Sequence, residues 1–270
     1  MLDLILSRAP IYLLIFVRCL ALIFTLPLFS TRAVSRIAKI AFAGYMAFFL
    51  LGSADLSAYN SFLGSDGAFS LYFIMLAVGE AFIGIIIGFY ITIIFAAFST
   101  AGQFTAFQMG FSAASTYDAM AQVENPLMGQ FFNFIAMLVF MQNQWFQRLF
   151  LGGLTSSFKT LTAISVASCQ NSLVSFMLKG LTKLFADALI IALPIMGTLM
   201  LITICTGLLS KAAPQMNLLS EGFPIMILTA FLLIMLMLPS ITDFFVRSFA
   251  GGFKSLEDLF LNIGGSISGS

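Results

Sequence analysis

Histidine is absent from the 270-residue sequence, and this absence removes the side chain that proteins use most often as a metal ligand and as a general base. A zinc protease with an HExxH motif is therefore excluded. A serine protease would need another base for its nucleophile, and only a Ser–Lys pair could serve. Ser210 and Lys211 are adjacent in the chain, and adjacent residues on a helix do not face each other.

An aspartyl protease is the remaining enzyme hypothesis, and it requires two carboxylates that share a proton. Asp118 and Asp187 are the candidates, but neither lies in a GxGD context. We therefore predict that the chain is not an enzyme and that it uses no metal or other cofactor.

Charged residues are scarce: Asp, Glu, Lys and Arg make up 9% of the sequence, and hydrophobic residues make up 60%. A soluble domain has roughly 25% charged and about 45–50% apolar residues. A bilayer or a large hydrophobic assembly must therefore cover the excess apolar surface. The net charge of +1 gives no case for nucleic-acid binding, which requires clustered basic residues. The composition predicts an integral membrane protein or a buried component of a membrane complex.

Tryptophan, cysteine and tyrosine are also rare, with one, three and six residues respectively. Trp and Tyr normally form belts at both membrane interfaces, so that anchor is thin here. The cysteines show no CxxC spacing and indicate no disulfide framework. Phenylalanine and methionine are abundant instead, with 32 and 15 residues. Two interpretations of this abundance stay open, namely lipid-facing bulk and extensive contact between subunits.

Six apolar runs follow one another, and three of them carry a charge at membrane depth, which marks a functional hypothesis by default. Arg18 in the first run indicates a side chain that faces protein or snorkels to the interface. Glu80 and Asp187 lie in the third and fifth runs. A proton or ion relay is one interpretation of these charges. The favoured one is a buried ion pair or a carboxylate bonded to a neighbouring subunit. The runs cover residues 9–29, 40–54, 69–98, 127–141, 186–209 and 225–239.

The third run, residues 69–98, is longer than the roughly 20 residues that a helix needs to span a bilayer. It is either a tilted helix or two shorter pieces that form a hairpin. The glycines of its Gly84-Ile-Ile-Ile-Gly88 motif permit close approach to another helix.

The distribution of charged loops does not fit a simple alternating topology. Residues 32–39 are basic and predict a cytoplasmic loop, whereas residues 53–68 are acidic and predict an outside loop. Alternation then places the acidic residues 99–126 inside and the lysine-rich residues 142–185 outside. Both placements contradict the rule that basic loops lie on the cytoplasmic side. A hairpin in residues 69–98 repairs the count. So does an assembly whose helices do not each cross lipid.

Two polar stretches interrupt the apolar chain, at residues 99–126 and 210–224. The first is rich in amides and small residues, with aromatic and thioether groups spaced through it. Such a segment is tolerated in a membrane protein where it is buried in protein or lines a cavity, so we predict that it faces a pore or a seam between proteins. For the second, a hairpin tip bonded to neighbouring subunits and a simple interhelical loop are equally open.

Several segments resemble one family, the FliR proteins of the type III secretion export gate. The two most specific are AGQFTAFQMGFS, residues 101–112, and AAPQMNLLSEGFP, residues 212–224. The resemblance continues in PLFSTRAVSRIAKIAFA, EAFIGIIIGF and NPLMGQFFNFIAMLVFM, which begin at residues 27, 80 and 125. These segments cover most of the chain in the expected order. Met216 and the Gly222-Phe223-Pro224 run are similar to the flagellar members of the family.

The resemblance implies an all-α, non-enzymatic subunit of helical hairpins packed in a hetero-oligomeric helical assembly. It implies FliP-like and FliQ-like partners, contact with FlhB-like and FlhA-like components, and export of unfolded flagellar proteins. The location would be the bacterial inner membrane and flagellar basal body, with the assembly partly lifted towards the periplasm. Residues 1–185 would correspond to a FliP-like part and residues 186–270 to a FliQ-like part.

The resemblance also implies a pore plug, which by position falls around residues 106–118. An apolar constriction that excludes water is one way in which a pore is gated. The expected plug residues, of which Phe107, Met109 and Phe111 are the preferred contacts, are Phe107, Gln108, Met109, Gly110, Phe111 and Ser112. Gly102 and Gln103 are expected to act as its hinge and support. Ordinary packing between subunits is the alternative for each aromatic residue.

A second set of residues is expected to pack subunits together. It comprises Glu80, Gly84, Gly88, Pro214, Gln215, Met216 and Asn217. The alternative function is a polytopic small-solute transporter in which Glu80 and Asp187 are the coupling groups. A transporter of that kind would run in detergent as a small self-contained unit, whereas an export-gate subunit would run within a large hetero-oligomer.

Overall fold

The computed structural model describes residues 2–30, 34–52, 71–110, 127–163, 166, 169–212 and 218–268. Side chains are described in these ranges except at residues 2–8, 30, 218–221 and 264–268. Every regular element in these ranges is helical, which confirms the predicted all-α class. The elements are α1 (Leu2–Thr25), α2 (Pro27–Ser30), α3 (Arg36–Leu50), α4 (Leu71–Gln108), α5 (Leu127–Gln142), α6 (Trp145–Gln147), a π-helical segment (Arg148–Leu154), α7 (Thr155–Thr160), α8 (Gln170–Ala212) and α9 (Leu218–Ser268).

Local chemistry accounts for several helix ends. The Ser35 hydroxyl accepts a hydrogen bond of 3.2 Å from the Ala38 amide, which caps the start of α3. Helix α1 ends at Thr25, two residues before Pro27. Gln144 has a φ of 57° and separates α5 from α6. The left-handed conformation is uncommon outside glycine, so this residue marks a sharp turn.

Helix α4 is continuous from Leu71 to Gln108. The predicted hairpin within residues 69–98 is therefore wrong, and the alternative of one long helix is confirmed. Each backbone group in an apolar environment needs a hydrogen-bond partner, and an uninterrupted helix supplies one to nearly all of them. A hairpin in α4 therefore does not explain the charge distribution of the loops. The other explanation, an assembly whose helices do not each cross lipid, stays a prediction.

Helix α9 continues through both Pro224 and Pro239 to Ser268. The sixth apolar run ends at residue 239 in the sequence, but the helix continues beyond it. Proline is tolerated within long membrane helices because neighbouring groups satisfy the freed carbonyls. The second polar stretch is also shorter than predicted, since α8 extends to Ala212 and α9 begins at Leu218. Only residues 213–217 separate these two helices, and they lie outside the described residues.

Three of the described helices are long and apolar enough to cross a membrane, namely α4, α8 and α9. Helix α5 and residues 9–25 of α1 are apolar but shorter. The predicted membrane protein is therefore confirmed.

The chain divides into two units, each assembled from segments that are distant in sequence. The first unit comprises residues 1–93, 144–180 and 250–270. The second comprises residues 94–143 and 181–249. This division concerns packing within the chain and leaves the predicted FliP-like and FliQ-like parts untested.

The core of the first unit forms around α1, which packs against α3. Leu14, Ile15 and Leu22 on α1 are completely buried. The Tyr12 hydroxyl donates a hydrogen bond of 3.2 Å to the Gly44 carbonyl on α3. The rings of Tyr90 and Phe176 pack in a tilted arrangement with centroids 4.2 Å apart. Aromatic pairs of this kind contribute beyond their buried area.

A phenylalanine cluster forms the core of the second unit. The Phe98 and Phe245 ring centroids are 3.9 Å apart, and Phe249 lies 5.0 Å from Phe95 and 5.2 Å from Phe140. These rings come from α4, α5 and α9 and are at most 2% exposed. Part of the phenylalanine therefore forms the chain's own core. Neither of the two interpretations of its abundance, lipid-facing bulk and contact between subunits, anticipated this.

Candidate functional site at the end of helix α4

The first polar stretch is divided by the end of α4. Residues 99–108 belong to the helix, and Met109 and Gly110 form a turn after it. Residues 111–126 lie outside the described residues, so the predicted plug residues Phe111 and Ser112 and the candidate Asp118 have no structural account. The described part of the predicted plug is therefore Phe107 to Gly110.

Helix α4 ends in a left-handed glycine turn. The Met109 amide donates to the Thr105 carbonyl at 3.0 Å, and the Gly110 amide donates to the Phe107 carbonyl at 3.1 Å. Gly110 has a φ of +81°. Glycine adopts this conformation at no steric cost and commonly ends helices in this way. The turn supplies a backbone reason for the glycine at this position.

The side chains around this turn have contrasting environments. Phe107 is 71% exposed, whereas Met109 is fully buried. Gln108 is intermediate between them. Phe107 is therefore the described plug candidate that is available to contact something outside the chain, and Met109 packs within the second unit.

Gly110 lies directly against the ring of Phe223. A Cβ added to Gly110 would strike the Cε1 atom of the ring and would lie 2.5 Å from its Cδ1 atom. Both residues belong to the second unit. This contact joins the two segments that carry the most specific family resemblance, residues 101–112 and 212–224. We did not expect Phe223 at the site, since nothing in the sequence connects two residues so far apart.

The predicted hinge, Gly102 and Gln103, lies inside α4. A Cβ on Gly102 would strike the Met128 carbonyl oxygen and come within 2.7 Å of the Gly129 Cα atom. Gln103 is exposed, and its Cγ lies 3.3 Å from the position of a Cβ on Gly129. Glycine is therefore required at position 102 because α4 packs closely on α5 there. The hinge role stays a prediction.

The charge of Arg18 is completely buried in the first unit. Its Nε atom donates to the Glu80 carboxylate at 2.5 Å, and both side chains are 0% exposed. The two terminal nitrogens donate to the Ser157 hydroxyl at 2.9 Å and to the Leu161 carbonyl at 2.8 Å. The guanidinium carbon lies 4.0 Å from the centre of the Phe158 ring. The network joins α1, α4 and α7.

This network confirms that Arg18 faces protein and that Glu80 forms a buried ion pair. A buried charge is tolerated only when it is paired and its remaining donors are bonded, and all three nitrogens of Arg18 have acceptors here. Ser157, Phe158 and the Leu161 carbonyl were not anticipated, because a neutral serine in a mixed stretch of sequence carries no signal of this role.

Gly84 and Gly88 bring α4 against α1. A Cβ on Gly84 would strike the Arg18 carbonyl oxygen, and one on Gly88 would strike the Thr25 hydroxyl. The Thr92 hydroxyl donates to the Thr25 carbonyl at 2.8 Å along the same seam. The close approach that the GxxxG motif indicates is therefore present within the chain. A neighbouring subunit is not needed to explain Glu80, Gly84 or Gly88.

Asp187 accepts a hydrogen bond of 2.5 Å from the Ser248 hydroxyl in the second unit. Its side chain is 8% exposed. Asp187 and Glu80 belong to different units, and each has a partner within its own unit. The remaining predicted packing residues, Pro214, Gln215, Met216 and Asn217, lie outside the described residues.

The two residues of the serine-protease hypothesis, Ser210 and Lys211, lie in the last turn of α8. The Ser210 hydroxyl donates to the Gly207 carbonyl at 3.1 Å. Among the described residues, no group of three or more Cys, Asp or Glu side chains is arranged to hold a metal ion. The arrangement of the described polar groups is that of helix packing and buried charge pairing.

Together, the helices define an all-α integral membrane protein in which the charges of Arg18, Glu80 and Asp187 are bonded within the chain's own helix contacts. The sequence matches the family described as "Bacterial export proteins, family 1" over residues 9–252, and the chain belongs to that family. The family resemblance in the sequence is thereby confirmed.

Relatives match along nearly the whole chain. The flagellar biosynthetic protein FliR of Escherichia coli (strain K12) is 29% identical over 257 residues, which cover 94% of each chain. The flagellar biosynthetic protein FliR of Bacillus subtilis (strain 168) is 29% identical over 232 residues, 85% of this chain and 86% of the relative. The surface presentation of antigens protein SpaR of Shigella sonnei is 28% identical over 247 residues, 92% of each chain.

Proposed function

We propose that this chain is a core, non-enzymatic subunit of the flagellar type III protein export gate and helps to form and plug the pore for unfolded flagellar proteins. The observation that carries the proposal is the family match over residues 9–252, together with FliR relatives that align over 85–94% of the chain. The three long apolar helices support a place in a membrane. The proposed location is the bacterial inner membrane, within the flagellar basal body.

The proposed partners are FliP-like and FliQ-like subunits in a hetero-oligomer, with FlhB-like and FlhA-like components in contact with it. Residues 1–185 would be the FliP-like part and residues 186–270 the FliQ-like part. The exposed apolar side chains of α8 and α9 are consistent with such packing, since fewer than a third of the residues in their most apolar windows are buried. Residues 214–217 would contact those partners at the tip between α8 and α9.

The proposed plug begins at the end of α4. The exposed ring of Phe107 and the glycine turn at Gly110 support this assignment, because they place a large apolar group beside a point where the backbone changes direction. Phe111 and Ser112 would continue the plug. An apolar constriction seals an idle pore against ions without binding one polypeptide sequence tightly.

A small-solute transporter with Glu80 and Asp187 as coupling groups is not favoured. Glu80 is fully buried and paired with Arg18, and Asp187 is bonded to Ser248. Coupling groups must exchange their proton or ion with the solution, and a fully buried carboxylate beside a guanidinium is poorly placed to do so.

Two measurements test the proposal. Deletion of the gene should abolish swimming and the secretion of flagellar proteins, and the full-length chain should restore both. A swimming deletion strain would contradict the assigned function. Affinity purification of the full-length chain should yield a large hetero-oligomer, whereas a small self-contained unit would favour the transporter.

The plug is tested separately by deletion of residues 110–114 within the co-expressed complex. This variant should leak ions in the closed state at a normal level of assembly. Replacement of the same five residues by Gly-Ser-Gly-Ser-Gly keeps the length and removes Phe111, so it should leak as well if an apolar side chain seals the pore. Conductance equal to that of the unmodified complex in the deletion variant would refute the plug.

A further inference from the structure

The contact between Phe223 and Gly110 connects two distant parts of the sequence within one unit. Phe223 lies in the second turn of α9, and Gly110 is the residue at which α4 has ended. The Phe223 ring occupies the space that any side chain at position 110 would need. Position 110 therefore requires glycine for two reasons: its φ is +81°, and a Cβ there would clash with the ring.

Among the described residues, two backbone hydrogen bonds form the turn, from the Met109 amide to the Thr105 carbonyl and from the Gly110 amide to the Phe107 carbonyl. A glycine without neighbours samples many backbone conformations. Met109 is fully buried just before it, so the Phe223 ring and the Met109 side chain constrain the turn from adjacent positions.

We propose that Phe223 is a positioning residue: its ring holds the left-handed turn at Gly110 and so sets the direction in which the chain leaves α4. The beginning of α9 is thereby coupled to the end of α4, and a displacement of one shifts the other. The importance of this coupling for gating rests on the proposed function, since the residues assigned to the plug begin at this turn.

Hydrogen exchange in the purified, detergent-solubilised complex tests the positioning role directly. Phe223→Ala should speed exchange of the amides at the end of α4, residues 105–110, on the order of fivefold, because the turn then opens locally more often. Exchange in residues 90–98 should not change. Phe223→Tyr keeps the ring and should behave as the unmodified protein. Unchanged exchange in residues 105–110 of Phe223→Ala would overturn the proposal.

Ion leakage at equal assembly tests the consequence for the gate. Phe223→Ala and Gly110→Ala should both leak. The double variant should leak less than the sum of the two, because the clash with the ring is then gone. Phe48→Ala removes an exposed ring on α3, and Gly207→Ala adds a Cβ where nothing lies within 4 Å. Both controls should stay sealed.

The outcomes separate this proposal from the assigned function. If deletion of residues 110–114 leaks and Phe223→Ala does not, then Phe223 has no role in gating and the proposed plug still stands. If neither variant leaks, the plug itself is refuted. Additive leakage of Phe223→Ala and Gly110→Ala would show that the two residues act independently, which also overturns the proposal.

Discussion

Helices α4 and α9 are equally apolar but are buried to very different extents. Their most apolar 18-residue windows have mean hydropathies of 2.5 and 2.4, yet 61% of the α4 window is buried and only 17% of the α9 window. Helix α8 resembles α9, with a hydropathy of 2.5 and 28% buried. Hydropathy therefore places all three helices in the same class and does not say which of them packs inside the protein.

The positions of glycine account for the difference. Each of the four glycines on α4 would bring a Cβ into another segment of the chain, and these residues are Gly79, Gly84, Gly88 and Gly102. By contrast, nothing lies within 4 Å of a Cβ added to Gly222 on α9 or to Gly197 and Gly207 on α8, where only Gly180 of the glycines described meets a neighbour, the Tyr90 ring at 3.1 Å. Association of apolar helices depends on close packing and interhelical hydrogen bonds, since lipid tails are as apolar as leucine. Small residues on α4 permit that packing, and the buried Arg18–Glu80 pair adds the hydrogen bonds.

The largest expected effect concerns the ion pair that ties α4 to α1. Glu80→Leu or Arg18→Met alone should destabilise the protein by about 3–5 kcal/mol, because each leaves an unpaired buried charge. The double variant should lose less than either single one. Thermal unfolding of the full-length chain in the solubilised complex measures this. Glu257→Leu, at an exposed carboxylate on α9, is the control. If the single variants are as stable as this control, the ion pair does not stabilise the packing of α4 on α1.

A smaller effect is expected from glycine substitutions on α4 and α8. Gly84→Ala and Gly88→Ala should each cost about 1–3 kcal/mol, because the added Cβ overpacks the seam with α1. Gly197→Ala and Gly207→Ala should be neutral or stabilise α8 by up to about 1 kcal/mol. The same melting measurement compares the four variants. Equal losses at all four positions would mean that α8 is packed as tightly as α4.

The smallest effect is expected at Asp187. Asp187→Asn should cost roughly 1 kcal/mol, because the amide oxygen still accepts the Ser248 hydroxyl. Ser248→Ala should cost more, since it leaves the carboxylate without that donor. Secretion of flagellar proteins by both variants should match their level of assembly. If the Asp187→Asn variant assembles at a normal level but secretes no flagellar proteins, that result would support a coupling role for Asp187.

The sequence predicted several features because their physical causes are local. Arg18 was expected to face protein or to snorkel to the interface, since a charge in the middle of an apolar run is costly in lipid. The GxxxG motif indicated close packing, since it depends on two residues of one helix. Residues 69–98 were ambiguous because an apolar run has the same composition in one helix or in a hairpin. The choice depends on whether a turn interrupts the backbone, and here none does.

Other features are pairings between distant residues, which carry no local signal. Glu80 is 62 residues from Arg18, and Ser157 is 139 residues from it. Phe223 and Gly110 belong to different polar stretches, and each stretch was interpreted separately. The phenylalanine clusters were missed for the same reason, because composition counts rings without showing which of them meet.

By itself, the sequence determined the class of protein, the helical content and the family, because these depend on total apolar content, on helix-length runs and on short specific segments. Tertiary structure alone decided which of three equally apolar helices is buried, which carboxylate is paired with Arg18, and that the two family segments meet at Gly110 and Phe223. The reason is that burial and pairing depend on the shapes of two surfaces that come together, whereas hydropathy is a property of each surface alone.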